Sequence, residues 1–194
     1  WDEAGKLPVG MRVEKPLSIL LNLVRRTRSS PDQDHTDINY YLRHADLESL
    51  LMEHHQQQVK INTNTSVAYL HWRYINVPVA RYVAIGVEEC PVFMGLIIGR
   101  LKDTRLGREL RVTDCFLRKK SNKKELMDKL KESMKEWDID YATMSGTVHD
   151  SFGDLFRGFY AASVGPMVTM RSLSMTDLTI LKNFKQWSPS LGDL

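Results

Sequence analysis

Five cationic side chains crowd one short stretch of the sequence: Arg118, Lys119, Lys120, Lys123 and Lys124. The stretch joins a predicted strand, Arg108–Leu117, to a predicted helix that begins at Asn122. The first turn of a helix leaves several backbone N–H groups without partners, and their partial positive charge favours an anion such as a diphosphate. The pattern therefore predicts an anion-binding turn. The alternative is a solvated basic turn whose amides are capped by Ser121 and Asn122.

Other chemistries have weaker support in the sequence. Glu53-His54-His55 offers metal-binding side chain types, but adjacent helical residues point about 100° apart, so a surface helix is predicted and no metal site. Cys90 and Cys115 show neither metal-ligand spacing nor a disulfide framework, which favours a reducing compartment. A net charge of +3 is too small to indicate a nucleic-acid partner. No apolar run reaches the roughly 18 residues of a membrane span.

The helix after the basic turn is the best-defined element. Asn122 with Glu125 is similar to a capping box, and a regular apolar stripe extends the helix to about residue 137. The stripe consists of Leu126, Leu130, Met134 and Trp137. Three strand-like segments precede it and are joined by short turns, which predicts an antiparallel meander. They are Arg81–Val87, Val92–Leu101 and Arg108–Leu117.

The remaining elements complete a β-α-α-β-β-β-α-β-α-β-β order. Upstream, the pattern predicts a strand at Ile38–Arg43, a helix after Asp46 and a second helix starting at Thr65 or Ser66. Downstream it predicts the following elements: a strand at Ile139–Ser145, a helix at Phe152–Ala162, and strands at Pro166–Leu173 and Leu178–Phe184. This order predicts an α/β (α+β) fold with a mixed, mostly antiparallel sheet and helices packed on both faces.

The element order resembles the GNAT superfamily of acyl-CoA N-acyltransferases over residues 37–184. The run from Arg118 to Lys123, with Leu126 after it, resembles that family's pyrophosphate loop, Arg/Gln-x-x-Gly-x-Gly/Ala followed by a leucine. Arg118 and Leu126 match, whereas Ser121 and Lys123 replace the two small residues that let backbone approach phosphate. The resemblance implies acetyl-CoA or another acyl-CoA as cosubstrate. It assigns the binding to Phe116, Leu117, Arg118, Ser121, Asn122 and Lys123.

The resemblance also implies direct acyl transfer to a primary amine, for example on an amino sugar, which needs a base and an acid. Asp114 is the predicted base, with an ion pair to Arg111 or Arg43 as its alternative role. Tyr160 is the predicted acid for the leaving thiolate, with core packing as its alternative. His149-Asp150 falls near the family's substrate cleft, although a single loop histidine is more often structural.

A further local resemblance bears on domain organisation. Leu70-His71-Trp72-Arg73-Tyr74, followed by Pro78, resembles a GNAT branch linked to bacterial polysaccharide clusters that often carries tandem domains. Residues 1–36 are therefore predicted to be an N-terminal strand and linker, the end of a preceding domain, and residues 37–194 the acyltransferase domain. The implied partners are a small-molecule amine or amino sugar and a second GNAT-like domain or a homodimer, in the cytoplasm.

Two other functions stay open at this point. The substituted loop favours a non-catalytic GNAT-like domain for assembly or ligand recognition. The related branch that uses aminoacyl-tRNA to build peptidoglycan bridges ranks third, because it should present a larger basic face than a net charge of +3 indicates.

Overall fold

The protein is described by a computed structural model that covers residues 2–7, 9–24, 38–57, 60, 62–76, 80–119, 123–145, 158–162, 165, 167–170 and 187. The strands in these ranges are β1 Asp2–Lys6, β2 Val9–Val13, β3 Arg81–Glu89, β4 Val92–Thr104, β5 Gly107–Leu117, β6 Tyr141–Ser145, β7 Tyr160–Ala162 and β8 Met167–Met170. The helices are α1 Pro16–Val24, α2 Ile38–Leu42, α3 Leu47–Gln57, α4 Val67–His71 and α5 Lys123–Glu136. A π-helical turn, Trp72–Asn76, continues α4.

Among the described residues, the largest sheet has six strands in the order β3-β4-β5-β6-β2-β7. Strands β5 and β6 run parallel, and the other neighbouring pairs are antiparallel. Strands β1 and β8 form a separate antiparallel pair. The predicted mixed, mostly antiparallel sheet is therefore confirmed.

Two hydrophobic cores lie on opposite faces of this sheet. On one face, α5 packs its buried side chains Leu126, Leu130 and Met134 against β3, β4 and β5. On the other face, α2, α3, α4 and the π-helical turn cover Ala84, Ile98 and neighbouring apolar residues. The predicted packing of helices on both faces is confirmed. Ser66 caps α4 by accepting a hydrogen bond from the Tyr69 amide, as one of the two predicted starts requires.

Two predicted elements are wrong in type. The predicted strand Ile38–Arg43 is helix α2, because Ile38 and Leu42, four residues apart, both bury against the second core. The described part of the predicted helix Phe152–Ala162 is a turn followed by strand β7. There Gly158 adopts a positive φ of 92°, and the next residues gain backbone pairing with β2. The predicted strand Leu178–Phe184 lies outside the described residues.

The N-terminal strand β2 lies inside the central sheet. It pairs with β6 on one side and β7 on the other, with Met11 opposite both Thr143 and Tyr160. The strand predicted within residues 1–36 is thus part of the same sheet as the strands that follow residue 37. No helix in the described ranges combines the length and apolar character that crossing a membrane requires.

Candidate functional site

Within the described residues, a gap opens where β5 and β6 stop pairing. Their parallel ladder runs from Glu109 opposite Tyr141 to Val112 opposite Met144. Beyond that point Asp114–Leu117 is paired, among the described residues, with β4 alone. Backbone N–H and C=O groups at a strand edge can bind a ligand where ladder pairing with the neighbouring strand stops.

A β-bulge in β5 sets the direction of the side chains at this gap. The register shifts between Val112, opposite Gly99, and Asp114, opposite Ile98. Thr113, the extra residue, donates its hydroxyl to the carbonyl of Ile98 at 3.0 Å. Because a bulge changes the face on which later side chains lie, Asp114 shares the face covered by α2–α4, whereas Val112 belongs to the α5 core.

The half-buried Asp114 is held by a tyrosine from the π-helical turn. The Tyr74 hydroxyl donates a hydrogen bond to Asp114 Oδ2, and the Tyr74 side chain is only 4% exposed. Burial, and then the nearby Asp114 charge, raise the pKa of Tyr74 well above its ordinary value. Tyr74 therefore stays protonated and acts as a donor. The sequence predicted Arg111 or Arg43 as the partner of Asp114 and assigned Tyr74 no role at the site, so this hydrogen bond was missed.

Arg118, the residue that matches the predicted anion loop, is held inside the protein. Its Nε donates to the Phe93 carbonyl at 3.0 Å, and Nη1 donates to Glu53 Oε2 at 2.8 Å. Nη2 donates to Asp46 Oδ2 at 2.8 Å and to Ser49 Oγ at 2.9 Å. The side chain is 12% exposed. The guanidinium therefore fastens the end of β5 to α3 and its preceding loop.

The Asp46 carboxylate belongs to the same cluster. Burial opposes its ionisation, but hydrogen bonds from the Phe93 amide and from Arg118 outweigh that effect and lower the pKa of Asp46 below its ordinary value. Asp46 is therefore ionised at neutral pH and balances part of the Arg118 charge.

The turn after Arg118 already holds one carboxylate. The Lys119 amide donates to Glu53 Oε1 at 2.8 Å, so one N–H group of the predicted anion loop is capped internally. Lys123 begins α5 and is exposed, whereas Ser121 and Asn122 lie outside the described residues. The side chains of Phe116 and Leu117 are buried in the two cores, so only their backbone could meet a ligand.

Tyr160 does not come together with Asp114. Successive cross-strand partners connect Arg111, Thr143, Met11 and Tyr160, which places Tyr160 on the same face of the sheet as Asp114. Three strand steps of about 4.8 Å separate β5 from β7, or roughly 14 Å. The Tyr160 side chain is 76% exposed, which excludes the alternative role in core packing. His149 and Asp150 lie outside the described residues.

Helix α3 is not the surface helix that the sequence predicted. His54 is only 8% exposed and meets the Phe116 ring edge-on, with ring centres 5.3 Å apart. Burial, and then the charge of His55, lower the pKa of His54 to about 4. His55 instead contacts the Thr65 carbonyl at 2.8 Å. In the ranges that the structure describes, no three His, Cys, Asp or Glu side chains converge into a metal-binding group.

A comparison with solved structures supports the fold. A GCN5-related N-acetyltransferase from Anabaena variabilis ATCC 29413 matches 84% of this chain with a TM-score of 0.51 and 14% sequence identity. The match spans 39% of that neighbour's length. At this identity the likeness shows the fold alone, which is GNAT-like. No family model matches the sequence, and no curated protein matches it either.

Proposed function

We propose that this protein is an N-acyltransferase that moves an acyl group from acyl-CoA to a primary amine. The observation that carries the proposal is the carboxylate of Asp114, which a β-bulge directs to the gap between β5 and β6 and which buried Tyr74 holds. A half-buried carboxylate at the point where β5 and β6 cease to pair suits a reaction in which an ammonium must lose a proton. The GNAT-like fold supports the assignment.

In the proposed reaction the amine nitrogen attacks the thioester carbonyl. The C–N bond forms, the C–S bond breaks, and the sulfur leaves as a thiolate that takes up a proton. Asp114 accepts the proton that the amine loses, while Tyr74 holds Asp114 Oδ2 and fixes the orientation of the carboxylate. Tyr74 is thus a positioning residue. Tyr160, exposed on the same face, remains the proposed acid for the thiolate.

The cosubstrate's diphosphate would lie at the start of α5. Lys123 is exposed there, and Ser121 and Asn122 directly precede it in the sequence. The guanidinium of Arg118 does not bind the diphosphate in this proposal, because it forms ion pairs with Asp46 and Glu53. Arg118 instead fixes the end of β5, where the diphosphate-binding turn begins. The sequence resemblance further supports an amino sugar as the acceptor, a role in bacterial polysaccharide synthesis and a cytoplasmic location.

The test is thiol release from acetyl-CoA in the presence of a panel of primary amines. Asp114→Asn should lower kcat by about a hundredfold or more, because the amine loses its proton acceptor. Asp128→Asn, an exposed change of the same charge on α5, should leave kcat unchanged. Equal rates in wild type and Asp114→Asn, with any amine that reacts, would overturn the assignment of Asp114.

A second candidate function is a non-catalytic GNAT-like domain. It is favoured by Glu53, whose carboxylate occupies the Lys119 amide that a diphosphate would otherwise meet. This function predicts no heat of binding when acetyl-CoA is titrated into the wild type, and none into Glu53→Gln. Saturable binding in the wild type that Lys123→Glu weakens would favour the transferase instead.

A further inference from the structure

Arg100, on β4, has a guanidinium whose hydrogen bonding is incomplete. Its Nε atom is buried and has no hydrogen-bond partner among the described residues. Across the described part of the chain its guanidinium enters no ion pair either. A buried donor without a partner is costly, so such a group indicates a role that packing alone does not supply.

A second arginine, Arg111, lies opposite Arg100 on the neighbouring strand β5 and adds positive charge. Arg100 and Arg111 are direct cross-strand partners, so their side chains share a face and start about 5 Å apart. Arg111 is neutralised by Glu109, to which its Nε and Nη2 donate at 3.1 and 3.3 Å. Glu109 is itself 3% exposed and also accepts from Thr143. Arg100 therefore carries the excess positive charge of this pair.

Arg100 lies beside the proposed proton acceptor. Ile98 is the cross-strand partner of Asp114, and Arg100 stands two residues further along the same strand, on the same face. Strand geometry puts the Cα atoms of Arg100 and Asp114 about 8 Å apart. A molecule whose amine meets Asp114 can thus place a second group against Arg100.

We infer that Arg100, with Arg111 beside it, forms a subsite for an oxyanion on the acceptor, a carboxylate or a phosphate. This inference rests on the proposed function, since it names the substrate class of the same site: an amine that also carries a negatively charged group. Guanidinium matches carboxylate and phosphate geometry with two parallel hydrogen bonds, and the bound oxyanion supplies the partner that the Arg100 Nε lacks.

The first test measures anion binding without any acyl-CoA. Thermal unfolding is followed at constant ionic strength with inorganic phosphate or with acetate, which separates the two chemistries. At least one anion should raise the midpoint of wild type and of Arg105→Gln, a matched loss of charge in the exposed β4–β5 turn. The rise should be absent in Arg100→Gln. An equal rise in Arg100→Gln, or none in any protein, would overturn the subsite.

The unligated variants show whether Arg100 is instead structural. Arg100→Gln removes an unpartnered donor, so its urea midpoint should equal or exceed that of the wild type. Arg100→Lys keeps the charge without the fork geometry and should respond to the anion less than the wild type. A lower urea midpoint for both variants would assign Arg100 to the fold and refute the subsite.

Turnover separates this inference from the function on which it rests. Where thiol release occurs, Arg100→Gln should lower the preference for β-alanine over ethanolamine, measured as a ratio of kcat/KM, by about ten- to a hundredfold. An unchanged ratio in an active enzyme refutes the subsite and leaves the acyltransferase standing. If acetyl-CoA does not bind but an anion still raises the thermal midpoint only when Arg100 is present, the acyltransferase function is refuted and the oxyanion subsite is retained.

Discussion

Arg118 directly follows β5 and Arg100 lies on the neighbouring strand β4, and the two guanidinium groups differ in their hydrogen bonding. Arg118 donates from all three guanidinium nitrogens, to two carboxylates, a hydroxyl and a carbonyl. Arg100 keeps a buried Nε that has no hydrogen-bond partner in the part of the chain that the structure describes. A satisfied guanidinium joins elements of the fold, whereas an unsatisfied one can take a ligand. The residue that matches a binding motif is here the structural one, and the arginine without a motif is available.

The largest expected effect is the loss of stability when Arg118 is replaced, compared with the same replacement of Arg100. Arg118→Met should lower the free energy of unfolding by about 3 kcal/mol, because Asp46 and Glu53 lose their cation and the Phe93 carbonyl loses its donor. Arg100→Met should lower it by nothing measurable. Urea denaturation of both variants is the measurement, and similar losses in both would remove the distinction between them.

Acidification should weaken the helix to which Arg118 is fastened. The pKa of His54 is about 4 in the folded protein against 6.5 in the unfolded chain, so the unfolded state binds more protons as the pH falls below 6.5. The free energy of unfolding should then drop by about 2 kcal/mol between pH 7 and pH 5. Asp46, with a lowered pKa, loses its contribution only at lower pH.

Urea midpoints at the two pH values measure this loss. The loss of stability between pH 7 and pH 5 should be largely absent in His54→Leu, because leucine has no group that binds a proton. It should be retained in His55→Gln on the same helix. A loss of equal size in His54→Leu would place the acid sensitivity elsewhere.

The smallest expected effect concerns the carboxylate that caps the Lys119 amide. Glu53→Gln should cost about 1 kcal/mol, because a partly exposed ion pair with Arg118 becomes a neutral hydrogen bond. It should also tighten acetyl-CoA binding severalfold at low salt, since a negative charge near the diphosphate is removed. Calorimetric titration beside Glu48→Gln, an exposed change on the same helix, measures this. Weaker binding in Glu53→Gln alone would show that Glu53 supports the loop.

The local sequence pattern was sufficient to predict the elements that depend on residues close to one another in the chain. The stripe from Leu126 to Met134 predicted α5, and short turns predicted the β3–β5 meander. The six residues Ile38–Arg43 alternate too loosely to distinguish a strand from helix α2, because contacts with the second core decide which forms. The GNAT-like fold was predicted from element order and the Arg118–Leu126 pattern, although two elements were wrong in type.

The candidate site was less accessible, because its contacts join distant parts of the chain. Tyr74 reaches Asp114 from a π-helical turn, and Arg118 finds its carboxylates on and before α3. The bulge at Thr113 reverses the alternation of β5 without a local signal in the sequence, so the face on which Asp114 lies could not be deduced. The gap after Val112 likewise depends on where β6 ends.

The position of β2 has a consequence for how the molecule assembles. Met11 on β2 pairs with Thr143 on β6 and with Tyr160 on β7, and both of these residues are synthesised long after it. The early strand β2 must therefore wait for the two later strands before this part of the sheet can form. Such long-range pairing raises contact order and slows folding. Until it forms, β6 offers an open hydrogen-bonding edge, and a nascent chain in that state is exposed to mispairing with other chains.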